Sequence, residues 1–147
     1  MSDDSPVHRE APEGEGRRNL RGSALTASLT VGDLPTSLAW YRDVVGFAVE
    51  REYEREGVMR AVALQAGDVR ILLGQDNGAR GSDRVKGEGF SLMITTEQSI
   101  DELAERIQAR GGTLESQPAS MPGGMRAFRL RDPDGFRLVI SSVSGFR

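Results

Sequence analysis

The chain has 147 residues, enough for one domain with a sizeable hydrophobic core. Its net charge of −3 argues against a general nucleic-acid binder, and no apolar run approaches the roughly 20 residues of a membrane span. Cysteine is absent, which excludes disulfides, thiol nucleophiles and cysteine metal sites, and the one histidine, His8, lies in a polar stretch.

Residues 1–22 are rich in Ser, Asp, Glu, Gly, Pro and Arg. Such a leader cannot offset its ordering entropy and is expected to be disordered. It lacks the apolar core of a signal peptide, so the expected location is the cytoplasm. A single domain is expected over residues 23–147.

Leu25 to Val31 alternates, with Leu25, Ala27, Leu29 and Val31 on one face and Thr26, Ser28 and Thr30 on the other. A helix is expected from about Leu34, with Asp33 as N-cap, Pro35 in the first turn and Gly46 as the stop. Trp40 and Tyr41 on this helix are read as packing residues. Strands follow at about Phe47–Glu54, Met59–Gln65 and Val69–Gly74. Glu50, Glu52 and Glu54 would alternate along one face of the first, as a solvated edge.

Residues 76–89 read as a linker, and Lys86 within it as an exposed loop residue. The second half repeats the order. Phe90–Thr96 alternates, Ser99 caps a helix to about Arg110 with Glu102 as its capping-box partner, and a short strand lies near Thr113–Gln117. The last hairpin, Arg126 to Ile140, turns at Asp132-Pro133-Asp134-Gly135. Arg70 matches Arg137 and Leu72 matches Val139, so each half reads β-α-β-β-β, module one over about 25–75 and module two over about 90–142.

Leu29-Thr30-Val31-Gly32-Asp33-Leu34, followed by Ser37, Trp40-Tyr41 and Gly46-Phe47, resembles the opening of a vicinal oxygen chelate module. Asp132-Pro133-Asp134-Gly135 before a last strand resembles its end. That superfamily includes glyoxalase I, extradiol dioxygenases, methylmalonyl-CoA epimerase, fosfomycin-resistance enzymes and bleomycin-resistance proteins. The resemblance implies an α+β fold of two βαβββ modules, with curved mixed sheets enclosing a cavity and helices on the outer face. It also implies a homodimer with pockets at or near the subunit boundary. The family's metal-ligand positions fall on Thr26, Leu72, Ser91 and Val139, none of them a competent ligand for a firmly held divalent ion. On this resemblance, no metal or other cofactor is expected.

Strand parity places Thr26, Ser28, Arg70, Leu72, Ser91, Met93, Arg129, Arg137 and Val139 opposite the apolar faces, where they would line the cavity. Arg126, after a Pro/Gly loop, is a candidate for the cavity mouth. Arg70, Arg129 and Arg137 suit carboxylate or phosphate groups, against a plainer reading as surface residues. The expected function is metal-free binding of a small molecule, a drug or metabolite. The alternative is a glyoxalase- or lyase-type enzyme with a divergent or metal-independent site.

Overall fold

The computed structural model describes residues 19–81 and 84–143. The leader expected over residues 1–22 falls mainly outside them.

Strand β1 spans Ala27–Val31 and keeps its alternation, Leu29 and Val31 buried, Ser28 and Thr30 exposed. Asp33, in extended conformation, caps helix α1 (Leu34–Ala39) by accepting the Thr36 N–H at 3.2 Å. The expected single helix then changes character. Residues Trp40–Val45 form a wide turn of π type, in which the N–H groups of Gly46 and Phe47 both reach back to the Tyr41 carbonyl. Gly46 ends it at φ +109°, a conformation that glycine adopts without a Cβ clash. Strands β2 (Ala48–Arg55), β3 (Val58–Ala66) and β4 (Val69–Gln75) complete module one.

Module two repeats this with β5 (Leu92–Thr96), α2 (Ile100–Ala109), β6 (Leu114–Ser120), β7 (Arg126–Arg131) and β8 (Arg137–Ser142). Ser99 caps α2 by accepting the Glu102 N–H at 3.3 Å. Strand β6 runs on to Ser120, beyond the short strand expected near Thr113–Gln117. The strands form two four-stranded mixed sheets, ordered β1-β4-β3-β2 and β5-β8-β7-β6, and neither closes into a barrel. In each sheet the first and last strands of the module run parallel, and the other neighbours run antiparallel.

The ladders superpose the repeat. Ser28 lies opposite Leu72 across β1 and β4, and Met93 lies opposite Val139 across β5 and β8. By that register Thr26 corresponds to Ser91, Arg70 to Arg137 and Leu72 to Val139. Each sheet has a helix face and an open face. The helix faces share one core, in which Leu29, Leu34 and Tyr41 join Ile107, Phe128 and Leu138. Burying each such large apolar side chain stabilises the fold by about 1.5–3 kcal/mol.

A polar latch holds the two halves together at the last hairpin. The Tyr41 hydroxyl donates to Asp132 Oδ2 at 2.8 Å, while Asp132 Oδ1 accepts the N–H groups of Asp134 and Phe136. Asp134 accepts the Gly32 N–H at 2.9 Å and the Ser37 hydroxyl at 3.3 Å. Burial pushes the Asp132 carboxyl above the ordinary carboxylate range, against the pull of its donors.

Candidate functional site

The sheet faces turned away from the helices carry the four mapped positions and their neighbours. On module two, β8 runs down the middle of the sheet. Val139 is nearly fully buried, flanked in register by Met93 on β5 and Arg129 on β7. On module one, Leu72 is half-buried between Ser28 on β1 and Ala63 on β3.

The linker builds one wall of a cavity. It crosses the β7–β8 turn as a strap, held at three points. Lys86 Nζ lies 2.9 Å from Asp76 Oδ2 and 3.7 Å from Asp134 Oδ1. Gly87, at φ +79°, packs so closely on Gly135 that a Cβ would stand 2.6 Å from its carbonyl oxygen. Phe90 lies against Phe136 with ring centroids 5.8 Å apart. Lys86 is therefore mostly buried in an ion-pair network and is no exposed loop residue, because Asp76 at the start of the linker and Asp134 of module two converge on it. The Gly78 N–H, helped by Lys86, draws the Asp76 carboxyl down to about 2.

Under the strap lies a cavity of about 750 Å³ that includes Arg84, Lys86, Phe90, Ser91, Arg131 and Arg137 in its wall. A second cleft, of about 320 Å³, lies where the first strands of the modules approach each other. Ala27, Arg70, Ser91 and Met93 line it. Ser91 borders both.

The structure thus gathers only part of the predicted set. Ser91 and Arg137 line the strap cavity, and Arg70, Ser91 and Met93 line the cleft. Ser28, Leu72, Arg129 and Val139 sit on the open faces outside both. Thr26, just ahead of β1, is exposed. Arg126 is a correction. It opens β7 with the parity of Phe128 and Leu130, so it belongs to the helix face, where its guanidinium forks onto Asp101 of α2 at 2.7 and 2.8 Å.

Two of the three expected arginines are already paired. Arg70 Nε meets Glu50 at 3.1 Å and Arg137 Nε meets Glu115 at 2.9 Å, with both arginines partly in solvent. Arg129 makes no ion pair among the described residues. Glu50, Glu52 and Glu54 lie exposed on the edge strand, as expected, but their alternation is interrupted. The β2–β3 register shifts between Val49 and Arg51 and again between Tyr53 and Glu54, and Glu50 sits in the first shift, where its carboxylate reaches Arg70.

Sequence reasoning missed Glu115 and Arg131. Arg131 Nε donates to Glu115 at 2.6 Å, and its Nη1 donates to the Gly135 carbonyl at 2.8 Å. Hydrogen bonds from Arg131 and Arg137 hold the Glu115 carboxyl below its usual range. Arg131 shares parity with Arg129, which was a usable signal. Glu115 offered none, because a register shift between Leu114 and Ser116 decides where it points.

A divalent ion finds no suitable donors at the four mapped positions. Leu72 and Val139 offer hydrocarbon, and Thr26 and Ser91 offer neutral hydroxyls. Among the described residues, no three His, Cys, Asp or Glu side chains cluster in a way that could hold a metal.

Two βαβββ modules, related by an internal repeat and sharing a helix-lined core, define a fold class with paired open sheet faces. The chain belongs to the glyoxalase/bleomycin resistance protein/dioxygenase superfamily, whose family model matches residues 24–140. It is 26% identical over 134 residues to a lactoylglutathione lyase of Arabidopsis thaliana, covering 86% of this chain but only 44% of that protein. It is 25% identical over 122 residues to a lactoylglutathione lyase of Salmonella typhimurium, covering 79% of this chain and 89% of that one. A solved structure of a superfamily member from Sphaerobacter thermophilus superposes with a TM-score of 0.68 at 25% identity, covering 83% of this chain and 98% of that one. No helix among the described residues is long and apolar enough to cross a membrane.

Proposed function

We propose that this protein binds a small molecule on its open sheet faces without a resident metal ion, and that it does so as a homodimer. The observation that carries the reading is the side chains at the four mapped positions, Thr26, Leu72, Ser91 and Val139. A ligand here must be held by shape and fixed polar groups, with Ser28, Ser91, Met93 and Leu72 as lining. The dimer is supported by what one chain leaves open. Met93 is 60% exposed and Leu25 93%, beside the same cleft, on a surface that a second copy would cover. A cytoplasmic setting belongs to the same proposal.

The lactoylglutathione lyase relatives make a lyase the competing reading. Their identities of 26% and 25% do not carry that activity to this chain. A metal assay of dialysed protein, run beside a thermal-shift screen of small molecules, separates the two. We expect far less than one equivalent of Zn, Ni, Fe or Mn and no change in melting temperature on adding a chelator. Near one equivalent of tightly held metal would overturn the proposal.

A further inference from the structure

The two modules carry the same device at the same place, with one difference. In each, a glutamate in the bulge of the outer strand takes an arginine from the start of the last strand. Glu50 holds Arg70 on module one, and Glu115 holds Arg137 on module two. The register makes Gln65 the counterpart of Arg131, since Gln65 lies opposite Arg70 and Arg131 lies opposite Arg137. Gln65 is neutral and donates to the Gly67 carbonyl. Module one therefore closes its device with one cation and one anion. Module two has two cations on one anion.

Like charges directly opposite each other on neighbouring strands destabilise a sheet. Module one builds the same device without a second arginine. The surplus charge also has a direction. Arg131 and Arg137 both line the strap cavity, whereas Glu115 is not among its wall residues. Each arginine uses Nε on Glu115, and Arg131 also uses Nη1 on Gly135, which leaves further guanidinium N–H groups on both. Most other charged groups of the wall have partners. Arg84 and Lys86 pair with Asp76, Asp134 is taken by Lys86, Gly32 and Ser37, and Glu88 is exposed to solvent. Ser91 and the half-exposed Phe90 ring also belong to the wall.

We infer that the strap cavity receives the anionic end of the ligand, a carboxylate or phosphate monoester, on Arg131 and Arg137, with Glu115 as a built-in competitor. This rests on the small-molecule-binding reading and adds the ligand's chemical class and orientation. An aromatic or flat body next to the anion would meet Phe90.

Phenyl phosphate, benzoate and uncharged benzamide, titrated calorimetrically into the full chain, test it. The phosphate and carboxylate arms separate the two sources of charge. At least one anion should bind and benzamide should not. Arg131→Gln and Arg137→Gln should each weaken the anion about tenfold, the loss of one charge-assisted contact. Glu115→Gln should tighten it several-fold, an effect no purely structural role of Glu115 predicts. Melting curves of each variant establish that it is folded. The inference falls if neither anion binds at about 10 mM, if benzamide binds equally well, if both arginine variants keep full affinity, or if Glu115→Gln weakens binding. A neutral ligand that binds the wild type and both arginine variants alike would remove this inference and leave the binding reading intact. Stoichiometric metal would count against the binding reading itself.

Discussion

Tyr41→Phe removes one hydroxyl from a fully buried ring. The ring's edge-on packing remains, with Trp40 at 4.8 Å and Phe47 at 5.7 Å between centroids. What is lost is the 2.8 Å bond to Asp132 Oδ2. Asp132 is only 5% exposed, so water cannot readily replace the phenol. Its Oδ1 keeps two backbone donors, but Oδ2 is left bare. A buried acceptor left unpaired costs about 1–3 kcal/mol, with charged groups at the upper end. We expect a loss of about 2–3 kcal/mol at pH 7, or about 4–10 °C in melting temperature for a chain of this size. The pH dependence carries the mechanism. Burial raises the Asp132 pKa in the folded state, and the Tyr41 bond opposes that rise, so the variant raises it further. A raised carboxyl binds its proton more tightly when folded, and the folded state gains stability as pH falls through that pKa. The gap between wild type and variant must therefore narrow on acidification. Urea melts of both proteins at pH 7 and at steps into the acid range measure it. A gap under about 0.5 kcal/mol, or one that stays constant into acid, would refute this account of the latch.

Two further substitutions probe the frame of the site. Ser141 is 1% exposed and its hydroxyl has no partner among the described residues, so Ser141→Ala should leave stability unchanged or raise it by up to about 1 kcal/mol. A clear loss in a denaturant melt would mean that the hydroxyl is bonded after all. Gly87→Ala would place a Cβ 2.6 Å from the Gly135 carbonyl oxygen at φ +79°, and should destabilise by about 1–3 kcal/mol. An unchanged melting temperature would show that the strap does not lie on the turn.

Fold and site were legible to different degrees, for physical reasons. The helix faces were readable because alternation is local. Leu29 and Val31, or Ile71 and Leu73, declare their side without help from distant residues. Asp33, Ser99 and Gly46 mark helix ends by chemistry that acts within a few residues. The repeat supplied the pairing of Arg70 with Arg137 and of Leu72 with Val139, which the ladders reproduce. The site was less readable because irregular backbone makes it. Bulges aim Glu50 and Glu115, and a one-residue shift reverses a strand's parity. Arg126 was read as a candidate for the cavity mouth, but its parity in β7 and its bond to Asp101 turn it to the helix face. The strap cavity depends on Gly87 meeting Gly135 and on Lys86 meeting Asp134, contacts with no local signature.

Among the described residues every strand ladder closes inside its own half, whereas the Tyr41–Asp132 bond joins residues 91 apart in the chain. In assembly terms the halves behave as two tethered partners, each with a finished sheet and an unfinished core. Residues 76–91 then act as the tether, which holds the halves at an effective concentration on the order of millimolar. Cutting that tether would turn an internal docking step into an association between separate pieces. The stability of the shared core, now a property of one molecule, would come to depend on protein concentration.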